Sequence, residues 1–275
     1  MMKVSAISSG CGVNVEGINL ADLSDKMIEE LKRLFAEHGL LFFRDQVLSQ
    51  ANHLALAKQF GPIVTNKHFQ ALSGFPEIAQ ITKEADQTTN IGGGWHTDHS
   101  YDPEPAMGSI LVARDLPSSG GDTRFANLSA AYAGLDRKTK EQISGLRAVH
   151  CNEHLYGQGG YYAQTDLANQ LSGMDQTSSA THPVVITHPL SGKKTLYVNP
   201  GHTIQIEGWT LEDSAHLLSQ LYAHVDQEAY TCRFKWWPGS VAFWDNRATW
   251  HFAENDYDGE RRSMERVTLA GTRLS

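Results

Sequence analysis

The stretch YTCRFKWWPGSVAFW, Tyr230 to Trp244, decides the architecture. Tyr230 to Trp237 and Ser240 to Trp244 are β-branched and aromatic runs, and Pro238-Gly239 between them is a turn signal. Ser263 to Gly271 predicts a further strand. Upstream, Ser109 to Arg114 and Thr123 to Phe125 read as strands on either side of the turn-forming run Pro117 to Gly121. Leu40 to Phe43 is short and wholly apolar, as in a buried strand. Helical spacing is clearest from Ser24 to His38, where Met27, Ile28, Leu31, Leu34 and Phe35 share one face. Ser24 or Asp25 can cap that helix and Gly39 can end it. A second helix is expected from Ser49 to Phe60, before Gly61-Pro62. Further helical patterns fall at Ser129 to Leu135, Lys138 to Ser144 and Leu211 to Val225. Strands gathered in the middle and end, with helices at the periphery, favour a β-rich α+β fold over an alternating α/β sheet. A mixed barrel or jelly roll with helices packed outside is expected, in one domain spanning 1–275.

Two polar stretches are expected to act as lids. One covers about 82–94 and ends in Gly92-Gly93-Gly94; the other covers about 152–180. Long segments without regular pattern inside compact domains are often functional.

The chain has 275 residues, 40% hydrophobic and 20% charged, with a formal net charge of -8. That balance lacks the basic footprint of a nucleic-acid binder. No run of 18 apolar residues suggests a membrane span, and the start of the chain lacks a signal-peptide pattern. Cys11, Cys151 and Cys232 are far apart in sequence and form no Cys-x-x-Cys pair, so reduced buried thiols in a cytoplasmic protein are expected.

Chemistry concentrates in two places. Trp95-His96-Thr97-Asp98 lies near the first third, and Trp244-Asp245-Asn246-Arg247 leads to His251, followed by Arg262 and Arg266. On a strand, a His-x-Asp spacing puts His96 and Asp98 on one face. His251 must then arrive from a distant segment. Two His and one carboxylate on one side of a metal, with open positions opposite, make the facial triad of non-haem Fe(II) oxygenases. With 13 His in the chain, His-x-Asp alone decides little; the joint pattern carries the reading.

That pattern resembles the TauD/TfdA family of Fe(II)/2-oxoglutarate oxygenases. The matching text is WHTD at Trp95 to Asp98, LPSSGGDT at Leu116 to Thr123, HPVVITHPLSGKKTLYVN at His182 to Asn199, WDNRATWH at Trp244 to His251 and RRSMER at Arg261 to Arg266. The resemblance implies a β-rich α+β fold with a double-stranded β-helix (jelly-roll, cupin-like) core and flanking helices, and iron held by His96, Asp98 and His251. It implies 2-oxoglutarate as co-substrate, its distal carboxylate gripped by Arg262 and Thr123, and O2 as oxidant. It further implies hydroxylation of a small organic anion, a carboxylate such as an aryloxyalkanoate or a sulfonate, with release of succinate and CO2. Arg266 is expected to hold the substrate anion, with Tyr156, His202 and Phe69 around it and Phe69 near the entrance; Arg261 is expected on the opposite, solvated face. Gly92 stands where taurine enzymes carry an Asn, which leaves more room and weakens a taurine assignment. A taurine or alkylsulfonate dioxygenase proper, or a cupin-like metal enzyme that does not use 2-oxoglutarate, remains the alternative. A homo-oligomer, dimer or higher, is implied, with Trp236 and Trp237 as candidate interface aromatics.

Overall fold

The computed structural model describes residues 2–7 and 10–275. In chain order its elements are β1 (Lys3–Ala6), β2 (Val13–Glu16), α1 (Asp25–His38), β3 (Leu40–Phe43), α2 (Gln50–Lys58), β4 (Ile63–Val64), β5 (Ala71–Leu72), β6 (Phe75–Lys83), β7 (Gly108–Asp115), β8 (Thr123–Asn127), α3 (Leu128–Gly134), α4 (Arg137–Ile143), β9 (Arg147–Cys151) and α5 (Glu153–Tyr156). There follow β10 (Ser179–Pro183), β11 (Val185–Thr187), β12 (Lys194–Leu196), β13 (Thr203–Ile206), α6 (Leu211–Val225), β14 (Thr231–Phe234), β15 (Val241–Asp245), β16 (Thr249–Ala253) and β17 (Arg262–Leu269).

The local signals act as the sequence anticipates. The Ser24 hydroxyl accepts from the Met27 N–H at the start of α1, and Gly39 at φ 68° closes its end by donating to the Phe35 carbonyl. That φ is cheap only for glycine. Ser49 caps α2 in the same way.

The larger sheet runs β1-β2-β3-β15-β7-β17-β6-β5, with β4 on β17; the smaller facing sheet is β14-β8-β16. Period-two alternation splits each strand between layers. Leu40 and Phe42 of β3 face inward with Leu111, Phe125, Phe234, Trp244 and Met264, filling the space between the sheets. Leu41 and Phe43 face outward with Ile110, Val112, Phe243 and Val267, where Leu31, Leu34 and Phe35 of α1 cover them. Phe35 stacks on Phe243 at 3.9 Å between ring centroids. Burying such a ring contributes about 2–3 kcal/mol. On the far side, α3 and α6 pack Leu128, Leu217 and Leu221 against Trp250. The order of layers is helices, large sheet, small sheet, helices, which is a jelly roll with flanking helices.

Three elements differ from expectation. Trp95 to Asp98 is no strand: His96 makes one isolated bridge to His251, and Asp98 begins a turn. The segment 152–180 holds α5 and two short 3-10 turns, Tyr162–Gln164 and Ala168–Gln170. Trp236 is buried between the sheets, whereas Trp237 is 55% exposed.

Several histidines are buried in neutral form, His53 and His150 among them. His53 on α2 donates through Nε2 to the Ile110 carbonyl at 3.2 Å. Burial pulls its pKa down to about 3, and burial beside His182 does the same for His150. The unfolded chain protonates both below about pH 6.5 while the fold resists until about pH 3. Their stabilisation is therefore complete above pH 6.5 and drains as pH falls, by about 1.4 kcal/mol per pH unit for each group. Urea unfolding at pH 7 and pH 5 should show stability falling as pH falls, and His53→Gln should remove one group's share of that slope, about 1.4 kcal/mol per pH unit.

Candidate metal centre

β8 and β16 pair so that His251 lies opposite Phe125. From that fixed position His251 exchanges two backbone hydrogen bonds with His96, at 2.9 and 3.1 Å. The imidazoles, 155 positions apart in sequence, thus sit with ring centroids 4.0 Å apart. His96 Nδ1–H donates to the Gly94 carbonyl at 2.8 Å, which leaves Nε2 as the free lone pair. The carboxylate of Asp98 lies 3.8 Å from His96 Nε2 and 3.7 Å from His251 Nε2. One donor atom from each of the three lies within 4.8 Å of the others. The two-His, one-carboxylate donor set suits ferrous iron. The sequence-predicted convergence is present, delivered by a bridge and a turn instead of a strand.

Small residues make the close approach feasible. A Cβ on Gly92, at φ 78°, would stand 3.0 Å from His96 Cε1, and one on Gly201 would stand 2.7 Å from His96 Cβ. Gly92 therefore seats the ligand ring, a duty distinct from the extra substrate room the sequence suggested.

Arg266 projects from β17 onto the same carboxylate. Its Nη1 donates to Asp98 Oδ1 at 3.2 Å and Oδ2 at 3.0 Å, and the Ser109 hydroxyl adds a third bond at 3.2 Å. Burial opposes ionisation of Asp98, but the adjacent Arg266 guanidinium overcomes it and holds the carboxyl well below the usual range. Burial lowers both His96 and His251, so each offers a neutral imidazole, as a metal ligand must. Arg266 Nε remains buried without a partner.

Arg262 lies four residues before Arg266 on the same inward face of β17. The bulge at this end falls in β7, where Ser263 pairs Asp115 and Met264 pairs Ala113, so the parity of β17 is kept. Arg262 Nε donates to the Gly121 carbonyl at 3.0 Å, while its Nη2 is buried with no partner. Burial pulls this guanidinium below its ordinary pKa. A buried cation with an unused N–H is costly unless an anion arrives, and the distal carboxylate of 2-oxoglutarate has the required fork. Gly121, at φ 66°, permits the approach, since a Cβ there would meet Arg262 Cδ at 3.1 Å. The Thr123 hydroxyl accepts from Trp236 Nε1 at 2.9 Å, which leaves its own proton free to donate. Arg261 points the other way and pairs with Glu84 and Asp115 at the surface.

A cavity of about 490 Å³ opens on His96. Thr88 to Asn90 and Gly92 to Gly94 line one side, and Leu155, Tyr156, Tyr161 and Tyr162 another, so both stretches expected as lids contribute to it. Tyr156 and His202 line it as anticipated. Phe69 does not: it is buried, 5.0 Å beneath the Arg266 guanidinium and edge-on to Tyr156. Sequence reasoning missed Trp95 and Phe252 in the cavity wall, Tyr162, whose hydroxyl accepts from the Gly92 N–H, and His68, which stacks on Tyr156 at 4.6 Å. No local signal marks His68 among 13 histidines.

The model of the taurine catabolism dioxygenase TauD, TfdA family matches residues 3–268. The chain belongs to this family. Among its relatives, an alpha-ketoglutarate-dependent sulfate ester dioxygenase of Pseudomonas putida is 34% identical, over 98% of this chain and 90% of its own. An (S)-phenoxypropionate/alpha-ketoglutarate-dioxygenase of Sphingobium herbicidovorans is 30% identical, over 98% and 94%. The crystal structure of a taurine dioxygenase from Burkholderia xenovorans superposes with a TM-score of 0.84 at 31% identity, covering 99% of this chain and 90% of that one. The protein is a 2-oxoglutarate-dependent non-haem iron dioxygenase, with Fe(II), 2-oxoglutarate and O2 as its reactants and cofactor. Among the described residues, no helix is long and apolar enough to cross a membrane.

Proposed function

We propose that the protein hydroxylates a small organic anion with an apolar alkyl or aryl body, either a sulfate ester or sulfonate or an aryloxyalkanoate. The observation that carries this reading is Arg266, buried with one N–H unspent against Asp98, whose carboxylate lies 3.8 Å from the His96 that lines the aromatic cavity. In this reading His96, Asp98 and His251 hold iron, and Arg262 and Thr123 hold 2-oxoglutarate. Iron and 2-oxoglutarate together supply oxygen activation, with succinate and CO2 as by-products. The chain's own groups do the positioning. Arg266 turns part of its fork from Asp98 to the substrate anion, which sets the C–H to be attacked near the metal face. Trp95, Tyr156, Tyr162 and Phe252 enclose the apolar body and exclude water. His202, kept neutral mainly by burial and then by His96, offers a hydrogen bond to a polar substrate atom.

Taurine suits this cavity poorly. No carboxylate lines it among the described residues, so an ammonium group would lose its hydration without an ionic partner. Assembly as a homo-oligomer in the cytoplasm belongs to the same proposal; exposed Trp237 supports an interface role. A panel of alkyl sulfates, sulfonates, aryloxyalkanoates and taurine, scored by succinate release, tests the substrate reading. Alkyl or aryl anions are expected to outrun taurine, and Arg266→Ala should raise their KM. Faster turnover of taurine than of every apolar anion would overturn it.

A further inference from the structure

A second chemistry lies between the two sheets, at the β14 edge of the small one. Cys11 and Cys232, 221 positions apart, place their sulfurs 2.6 Å from one another. Both side chains are buried, at 1% and 9% exposure. The remaining polar contact of the pair is a long one, from Cys11 Sγ to the Phe125 carbonyl at 3.6 Å. A disulfide needs its sulfurs at about 2.05 Å, a small displacement from this separation.

Both partners are held in place by other contacts. Cys232 lies on β14 opposite Phe125 of β8. Cys11 sits between Gly10 and Gly12, and the Asn127 side chain at the end of β8 donates to the Gly10 carbonyl at 2.7 Å. Cys11 also lines a cleft of about 590 Å³ with Gly10, Gly12, His38 and Asn127. The sulfur itself is buried, so a small oxidant reaches it only as the segment around Cys11 opens onto this cleft. Cys151, on β9, takes no part: its sulfur accepts from the Glu153 N–H.

We propose that Cys11 and Cys232 are a modification site, closing into a disulfide under peroxide and fastening the N-terminal segment to β14. In the step, the Cys11 sulfur attacks one peroxide oxygen, the O–O bond breaks, and one water leaves. The Cys232 sulfur then displaces the hydroxyl from the Cys11 sulfenic acid as a second water. The two thiol protons end in the waters, the two sulfurs are oxidised by one electron each, and the peroxide is reduced. The hydrogen bond its S–H makes to Cys232, and then burial, raise the Cys11 thiol well above its usual pKa. Attack needs the thiolate, so closure is slow, as befits a bridge that forms in sustained oxidation.

The bridge bears on the enzyme through the next residue. Arg233 holds Asp122 at 2.7 Å and Asp256 at 3.1 Å, and Phe234 pairs Thr123 in the ladder. Tying down β14 stiffens the wall beside Thr123.

The test uses the full chain carrying Cys151→Ser, treated with hydrogen peroxide and compared with a dithiothreitol-reduced sample. Thiols titrated in denaturant should fall from two to none and return to two with dithiothreitol. Peptide mapping without reductant should show the Cys11 and Cys232 peptides linked and lighter by two hydrogens. Closing so long a loop should raise the unfolding midpoint by roughly 10 °C, a rise absent in Cys232→Ser. Thiol counts that stay at two, or peroxide products containing only sulfinic or sulfonic acids, would overturn the proposal. So would a linked peptide with no change in midpoint, since the bond would then belong to the unfolded chain.

Discussion

Replacing Asp98 with Ala should abolish oxygen-dependent succinate formation and Fe(II) retention together. One ligand of three is lost, and metal-based stabilisation is worth several kcal/mol, or roughly a thousandfold in rate. The same change should also weaken the fold. It removes the anion from Arg266, and a buried charge left without its partner costs about 3–5 kcal/mol. Asp98→Asn separates the two effects, because its amide oxygen still accepts from the guanidinium while binding iron poorly. Anaerobic Fe(II) titration and urea unfolding of both variants provide the check. Iron affinity within tenfold of the parent in Asp98→Ala would remove this carboxylate from the ligand set.

Arg262→Met should act in the opposite sense on stability. In the ligand-free protein its Nη2 is buried and unpaired, so an apolar side chain of similar length should leave the fold equally stable or firmer. Affinity for 2-oxoglutarate should nevertheless fall by about 10- to 100-fold, the worth of a charge-assisted hydrogen-bonded pair. Fe(II) binding should be unaffected. Arg262→Lys should not restore it, since an ammonium lacks the planar fork. Trp236, which donates to Thr123 and lies 5.9 Å from the guanidinium carbon, offers a fluorescence readout of co-substrate binding. Unaltered 2-oxoglutarate affinity in Arg262→Met would place the distal carboxylate elsewhere.

Legibility of the fold follows from how much local chemistry each element carries. α1 was plain because its cap, its apolar stripe and its terminating glycine agree. β3, β7 and β15 were plain because they are buried on both faces and so read largely as apolar runs, whereas β17 is equally buried but carries Arg262, Glu265 and Arg266. β6 was not: Pro76, Glu77, Gln80 and Lys83 break its pattern, and pairing with β17 is what keeps it extended. β9 to β13 form small outlying sheets whose short strands carry little signal. The metal ligands were legible as a motif, but the geometry between them was not. Asp98 starts a turn that contains His99 at φ 59°, a conformation uncommon outside glycine and invisible in residue identity. Arg266 could be placed on the inward face from its spacing to Arg262. Its contact with Asp98, 168 positions away, exists only because β17 crosses the sheet there. The nearness of Cys11 to Cys232 has the same origin, for sequence distance gave no hint of it.

The shared hold on Asp98 makes two binding events interdependent. A guanidinium that satisfies this carboxylate shields some of the negative charge a cation would feel. On the proposed reading, an incoming substrate draws that shield aside, so its arrival tightens the grip on the ion. Thermodynamics makes the bargain mutual: the ion must improve substrate affinity by the same factor. A loaded enzyme would therefore release its metal more slowly while working than while idle.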